Sequence, residues 1–112
     1  MSSQIIESEL STTALDIHRA LASLQEELEA IDLYHQRAEA SKEASLKALL
    51  IHNRNDEIEH AAMLLEWLRR AMPELDGQLA KFLFKQELPT EIAKHPGTPP
   101  QMAGDLGVGS LK

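Results

Sequence analysis

Leu46, Leu50, Asn53, Glu57, His60, Leu64, Trp67 and Ala71 follow one another at alternating steps of four and three, the spacing of a single helix face. An earlier stretch does the same: Ala14, Ile17, Leu21, Leu24, Leu28, Ile31, His35 and Ala38. The first proline of the chain is Pro73 and the first glycine is Gly77, so nothing before them interrupts a helix in the usual way. The pattern predicts two long helices. The first begins with a cap somewhere in Ser11-Thr12-Thr13, where Thr13 and Asp16 stand at capping-box spacing, and the second runs to about Ala71. Loss of phase in the polar cluster Ser41-Lys42-Glu43-Ala44-Ser45 marks a turn between them.

A short third helix follows Pro73, a good first-turn residue, with Leu75, Leu79, Phe82 and Leu83 at helical spacing. From Leu88 the texture changes. Pro89, Pro96, Gly97, Pro99, Pro100 and Gly104 fall in a tract poor in large apolar residues, the composition of a flexible linker. Beyond it the chain ends in LGVGSLK, whose Leu106, Val108 and Leu111 have no core of their own to join. The expected division is a helical region over 1–87, a linker over 88–105 and a terminal peptide over 106–112. The second helix carries a further apolar stripe, Ile51, Ile58, Ala62 and Leu65, offset from the first. Two helices with two apolar sides each cannot both be satisfied in one hairpin, and self-association is expected. The fold class is therefore all-α: an antiparallel two-helix hairpin plus a short C-terminal helix, completed to four helices by dimerisation.

Size and charge narrow the chemistry. A chain of 112 residues is at most one modest domain. It contains no cysteine, which removes disulfides, iron–sulfur clusters and thiolate zinc sites; any metal must be held by oxygen and imidazole nitrogen. A net charge of -7 argues against nucleic acid or an anionic membrane as partner and favours cations. The N-terminal segment shows neither a signal-peptide pattern nor a membrane-length apolar run, which leads to the expectation of a soluble cytoplasmic chain.

Three adjacent positions on the second helix's seam, Asn53, Glu57 and His60, are polar. A carboxylate and an imidazole in the driest stripe of a helix need something to satisfy them. Glu57-x-x-His60 puts both one turn apart, aimed at one point, as in the carboxylate-bridged two-metal sites of four-helix bundles, which use a lone Glu from each of two helices and Glu-x-x-His from the other two. The first helix offers Glu26, Glu27 and Glu29; Glu27, beside seam position Leu28, is best placed to face inward. Two copies of the hairpin then supply four carboxylates and two imidazoles to two divalent ions, with the charges cancelling. Tyr34, one heptad beyond Glu27, is either an outer hydrogen-bond donor to such a site or a half-buried aromatic. His52, Asp56 and Glu59 repeat on another face and, with Glu26 and Glu29, describe either an ion approach path or a solvated acidic face. Asp32-x-x-His35 repeats the ligand spacing on the first helix but ranks lower, since Asp reaches one methylene less far. His18 and His95 receive no role.

The segments LQEELEAIDLYHQRA, LIHNRNDEIEHAAMLLEWLRR and LGVGSLK together resemble the encapsulated ferritins, small ferritin-like proteins packaged inside encapsulin shells. The resemblance implies a ferroxidase that oxidises Fe(II) to Fe(III) with dioxygen or peroxide at a di-iron centre between subunits, for mineralisation and storage in the shell lumen. It places the iron ligands on Glu27, Glu57 and His60, the nearby tyrosine on Tyr34, and accessory or uptake positions on Glu26, Glu29, His52, Asp56 and Glu59. It also implies a decamer of five dimers, a cytoplasmic nanocompartment as location, and a shell-targeting peptide formed by Leu106, Gly107, Val108, Gly109, Ser110 and Leu111. Two positions depart from the family pattern: Leu33 stands where an aromatic is expected, and Asp56 where Glu is. The competing reading is a non-enzymatic helical adaptor with a structural metal. A rubrerythrin-type peroxidase lacks its cysteine-bound electron donor here.

Overall fold

The structure, a computed structural model, describes residues 9–94. Four helices follow in order: α1 over Thr12–Ala40, α2 over Ala44–Ala71, α3 over Pro73–Phe82 and α4 over Pro89–Ala93. No strand occurs among the described residues, and none of these helices is long and apolar enough to cross a membrane. At 29 and 28 residues, α1 and α2 are each about 42 Å long by the rise of an α-helix.

The helix starts have identifiable chemistry. Ser11 caps α1, its hydroxyl accepting from Ala14 N–H at 3.0 Å. The cap thus lies within the expected Ser-Thr-Thr run, but the Thr13/Asp16 box does not form: Asp16 pairs with Arg19 at 3.2 Å instead. Glu43 opens α2 by accepting Leu46 N–H at 2.7 Å and the Ser45 hydroxyl at 2.6 Å. The Ser45 hydroxyl, followed by the backbone donors of Leu46 and Ser45, holds the Glu43 carboxyl below its ordinary range. Because the folded value is depressed, this stabilisation is present above the unfolded carboxylate range and is lost as pH falls through the folded value. Glu43→Ala should accordingly lower the thermal midpoint at neutral pH, and the gap to wild type, followed by circular dichroism, should close on acidification; a gap independent of pH refutes the assignment.

The chain divides into two compact units, 1–68 and 69–112. In the first, Glu27 meets Glu57 and His60 while His35 meets Arg54, so later residues of α1 face earlier residues of α2 and the pair is antiparallel. Its interior is thin: among its described residues the buried apolar ones are Ala38, Ala61 and Leu68. Leu21, Leu28, Leu46, Leu49, Ile58, Met63, Leu65 and Trp67 are all exposed.

The second unit holds the last turn of α2, then α3 and α4. Pro73 stands in the first turn of α3 as expected. Arg69 Nη1 donates to Asp76 Oδ1 at 2.7 Å, the two side chains being only 18% and 7% exposed. Asp76 also lies in the first turn of α3, where the helix dipole favours a negative charge. At the other end, Leu83 N–H donates to Leu79 and Phe84 takes a positive φ of 61°, the left-handed geometry that ends many helices and usually falls to glycine. α3 and α4 pack on each other. The α4 turn lies inside the segment whose composition reads as linker, because Pro89 starts a helix as readily as it breaks one.

Candidate metal centre

Local helix geometry brings the cluster together. Glu57 and His60 are one turn apart on α2, and His60 Nδ1 lies 3.3 Å from Glu57 Oε1. Across the hairpin, Glu27 of α1 brings its Oε1 within 3.5 Å of the same nitrogen. One ligand atom from each of Glu27, Glu57 and His60 lies within 4.8 Å of the others. The carboxylate side chains are about a quarter exposed, at 24% and 25%, whereas His60 is 47% exposed, so the cluster is walled by its own hairpin on one side and open on the other.

Its electrostatics are unsettled in a way that favours a cation. Glu27 Oε1 is shielded from solvent and accepts no hydrogen bond, a state that a native carboxylate oxygen seldom occupies without an ion or a water. The Glu27 carboxyl is pushed up, first by its hydrogen-bond pairing with the Glu57 carboxyl, then by burial and by the Glu57 charge. Glu57 is held down by that same pairing and by His60. Hydrogen bonding to Glu57, together with both nearby carboxylates, holds the His60 imidazole above its usual range despite the opposing effect of burial. The two carboxyls repel one another and the imidazole is drawn toward its charged form, the shifts expected of a site with an excess of negative charge. A divalent cation placed there competes with protons for the same groups, so its apparent affinity falls with acid. The donor set of two hard oxygens and one imidazole per chain fits iron, manganese or zinc. Glu27, Glu57 and His60 are thus a candidate metal-binding group whose donors fit an iron ion, and the Glu27 oxygen without a hydrogen-bond partner is consistent with one.

The remaining sequence-selected residues are distributed differently. Tyr34 is half-buried on α1, with the Arg37 guanidinium 5.9 Å from its ring centroid. His52 Nε2 and Asp56 Oδ2 pair at 3.3 Å on an exposed face of α2. Glu26, Glu29 and Glu59 are exposed, and among the described residues only Glu27, Glu57 and His60 form a ligand group of three within one chain. The terminal peptide, Leu106 to Leu111, lies outside the described residues.

The seam itself is turned from the expected one. Leu28 is 53% exposed, while Glu27 faces inward in its place. On α2, Ala61 and Leu68 are buried, and their neighbours His60 and Trp67 stand at the open flank. Two contacts escaped the sequence pattern, Arg54 with His35 and Arg69 with Asp76. Both depend on a helix crossing or a bend at a proline, which periodicity along one helix cannot register.

Comparison with known proteins gives consistent matches. The model of the EncFtn-like family matches residues 3–86. The chain is 48% identical over 105 residues to the ferritin-like protein of Thermotoga maritima, covering 93% of this chain and 92% of that one. It is 43% identical over 117 residues to the encapsulated ferritin-like protein of Rhodospirillum rubrum, at 92% and 82% coverage. Among solved structures, protein ne0167 of Nitrosomonas europaea superposes with a TM-score of 0.75 at 50% identity, covering 80% of this chain and 98% of that one.

Proposed function

The chain belongs to the EncFtn-like family, and from that premise we propose that it is a ferroxidase that oxidises Fe(II) to Fe(III) for storage inside an encapsulin shell. The observation that carries this reading is the Glu27/Glu57/His60 cluster with its unpartnered Glu27 oxygen. Three ligands do not complete an iron site, and the open flank at His60 is where a second hairpin supplies its own three. The dimer is then the catalytic unit, with four carboxylates and two imidazoles around two ions, and a decamer of five dimers is the assembled form.

Iron enters as substrate: two Fe(II) ions each give one electron to dioxygen or peroxide, and hard oxygen ligands favour the Fe(III) product. This chain's residues bind and orient. The Glu27 and Glu57 carboxylates bring the ions together and balance their charge, and His60 ligates through a nitrogen lone pair, so acid weakens its hold. The carboxylates of Asp56, Glu26, Glu29 and Glu59 concentrate cations near the site by their charge, and His52, paired with Asp56, adds an imidazole ligand to that approach. Tyr34 is assigned, by its place one heptad beyond Glu27, as an outer hydrogen-bond donor to the ligands.

The test is dioxygen uptake on adding Fe(II) to the chelator-treated chain, with the mass of the assembly followed before and after. Rapid uptake and two irons per dimer support the reading; a bound metal with no uptake leaves a structural-metal adaptor instead.

The proposed shell partner engages the chain through Leu106, Val108 and Leu111, with Gly107 and Gly109 allowing a close backbone approach and Ser110 a polar contact. Three small anchors bind weakly in one copy, and many copies in one assembly raise the effective concentration. Removal of 106–112 should abolish co-purification with the shell while iron oxidation continues. Unchanged packaging of the truncated chain refutes the targeting role.

A further inference from the structure

Asp32 and His35 stand one turn apart on α1 and repeat, with a shorter carboxylate, the spacing of Glu57 and His60. A hairpin with two such pairs offers a divalent cation two places to go. The second pair is engaged otherwise. Gln36 Nε2 donates to Asp32 Oδ1 at 2.9 Å, and Arg54 Nη1 reaches across from α2 to His35 Nδ1 at 3.1 Å. The guanidinium is itself anchored, its Nε and Nη2 both donating to Asn55 Oδ1 at 3.2 and 3.0 Å. The arginine is therefore held in place by three hydrogen bonds, one of them to the opposite helix.

A guanidinium only donates and stays charged, so His35 Nδ1 accepts and its lone pair is used. A neutral imidazole has one N–H and one lone pair on its two nitrogens. With Nδ1 accepting, the proton sits on Nε2, and the ring has no nitrogen left for a metal. The fixed positive charge beside it also repels a divalent cation. His60 has the reverse surroundings: its Nδ1 faces two carboxylates. The same motif spacing is thus switched on at one site and off at the other by the charge of the group across the hairpin.

We propose that Arg54 is a specificity residue, holding His35 in the Nε2–H form and confining divalent metal to Glu27, Glu57 and His60. The assignment rests on the metal-centre reading given above, and its test separates the two. Zn(II) is the probe, counted by equilibrium dialysis on the full chelator-treated chain. Arg54→Met should take up one more Zn(II) per chain than wild type, with water completing the tetrahedron around Asp32 and His35. Arg54→Lys, which keeps a cationic donor, should not, and adding His35→Gln to Arg54→Met should remove the gain. An Arg54→Met count equal to wild type overturns the proposal, as does a gain that survives loss of His35.

Ring nitrogen-15 spectra of the wild-type chain test the same point with no variant. His35 should show the Nε2–H form and stay unmoved by Zn(II) while His60 shifts; a His35 signal that follows Zn(II) overturns the proposal even where no Arg54 variant folds. If Zn(II) leaves His60 unmoved yet Arg54→Met still gains an ion, the metal-centre reading falls while the blocking of His35 by Arg54 stands.

Discussion

Glu57→Ala is expected to abolish most iron oxidation, and Glu27→Ala and His60→Ala to do the same, measured as initial dioxygen uptake after Fe(II) addition. In a symmetric dimer each substitution deletes two ligands from one centre. Outer partners of metal ligands already cost about 10–100-fold when removed, so loss of the ligands themselves should exceed ~100-fold. Tyr34→Phe, which removes only a hydrogen-bond donor, should cost far less. Changes at the exposed Glu26 or Glu29 should alter the rate of iron uptake while the centre keeps its two ions. The ligand variants should remain folded, because in the metal-free chain Glu27 and Glu57 crowd one another and removing either relieves that repulsion. A Glu57→Ala chain with wild-type uptake and two irons per dimer would sink the assignment.

The largest effect on stability should come from Asp76→Ala. Asp76 is among the few buried residues of the described chain segment, and its carboxylate accepts from Arg69 at 2.7 Å across the bend at Pro73. Deleting one member of a buried ion pair typically costs roughly 3–5 kcal/mol. Asp76→Asn, which keeps an acceptor oxygen and the side-chain volume, should lose less, and Glu74→Ala, at an exposed position of the same helix turn, should change little. Urea unfolding followed by helicity separates the three. Equal midpoints for Asp76→Ala and Glu74→Ala would show that the pair carries no stability.

Both long helices, the third helix and the cluster of Glu27, Glu57 and His60 were legible in the sequence pattern, for different reasons. α1 and α2 stand out because an unbroken 3.6-residue period over so many turns is the mark of a helix and of little else. Glu57 and His60 stand out because polar groups on an apolar line demand a partner, and Glu27 because it is the acidic residue beside the first helix's seam at Leu28. The rotation of the seam was not legible. Leu28 and Glu27 are neighbours on the same helix, and with apolar residues on two sides of each helix the period fixes the turn angle without saying which side meets the partner. Leu28 is exposed in the single chain and Glu27 turned in. Arg54 with His35, and Arg69 with Asp76, were illegible for another reason: each pair is made by residues on separate helices, whose register only the fold sets.

The thin interior of the hairpin has a bearing on gene dosage. With Ala38, Ala61 and Leu68 as the buried apolar residues among those described in its first unit, a lone chain has little holding it folded, and the proposed assembly must supply the difference by mass action. Assembled protein then rises faster than in proportion to the number of chains made, and a cell that halves its synthesis loses more than half of its working centres. Chains below that threshold present Leu28, Ile58, Met63 and Trp67 to the surroundings and are open to proteases. Selective loss of lone chains would bias the population toward complete assemblies.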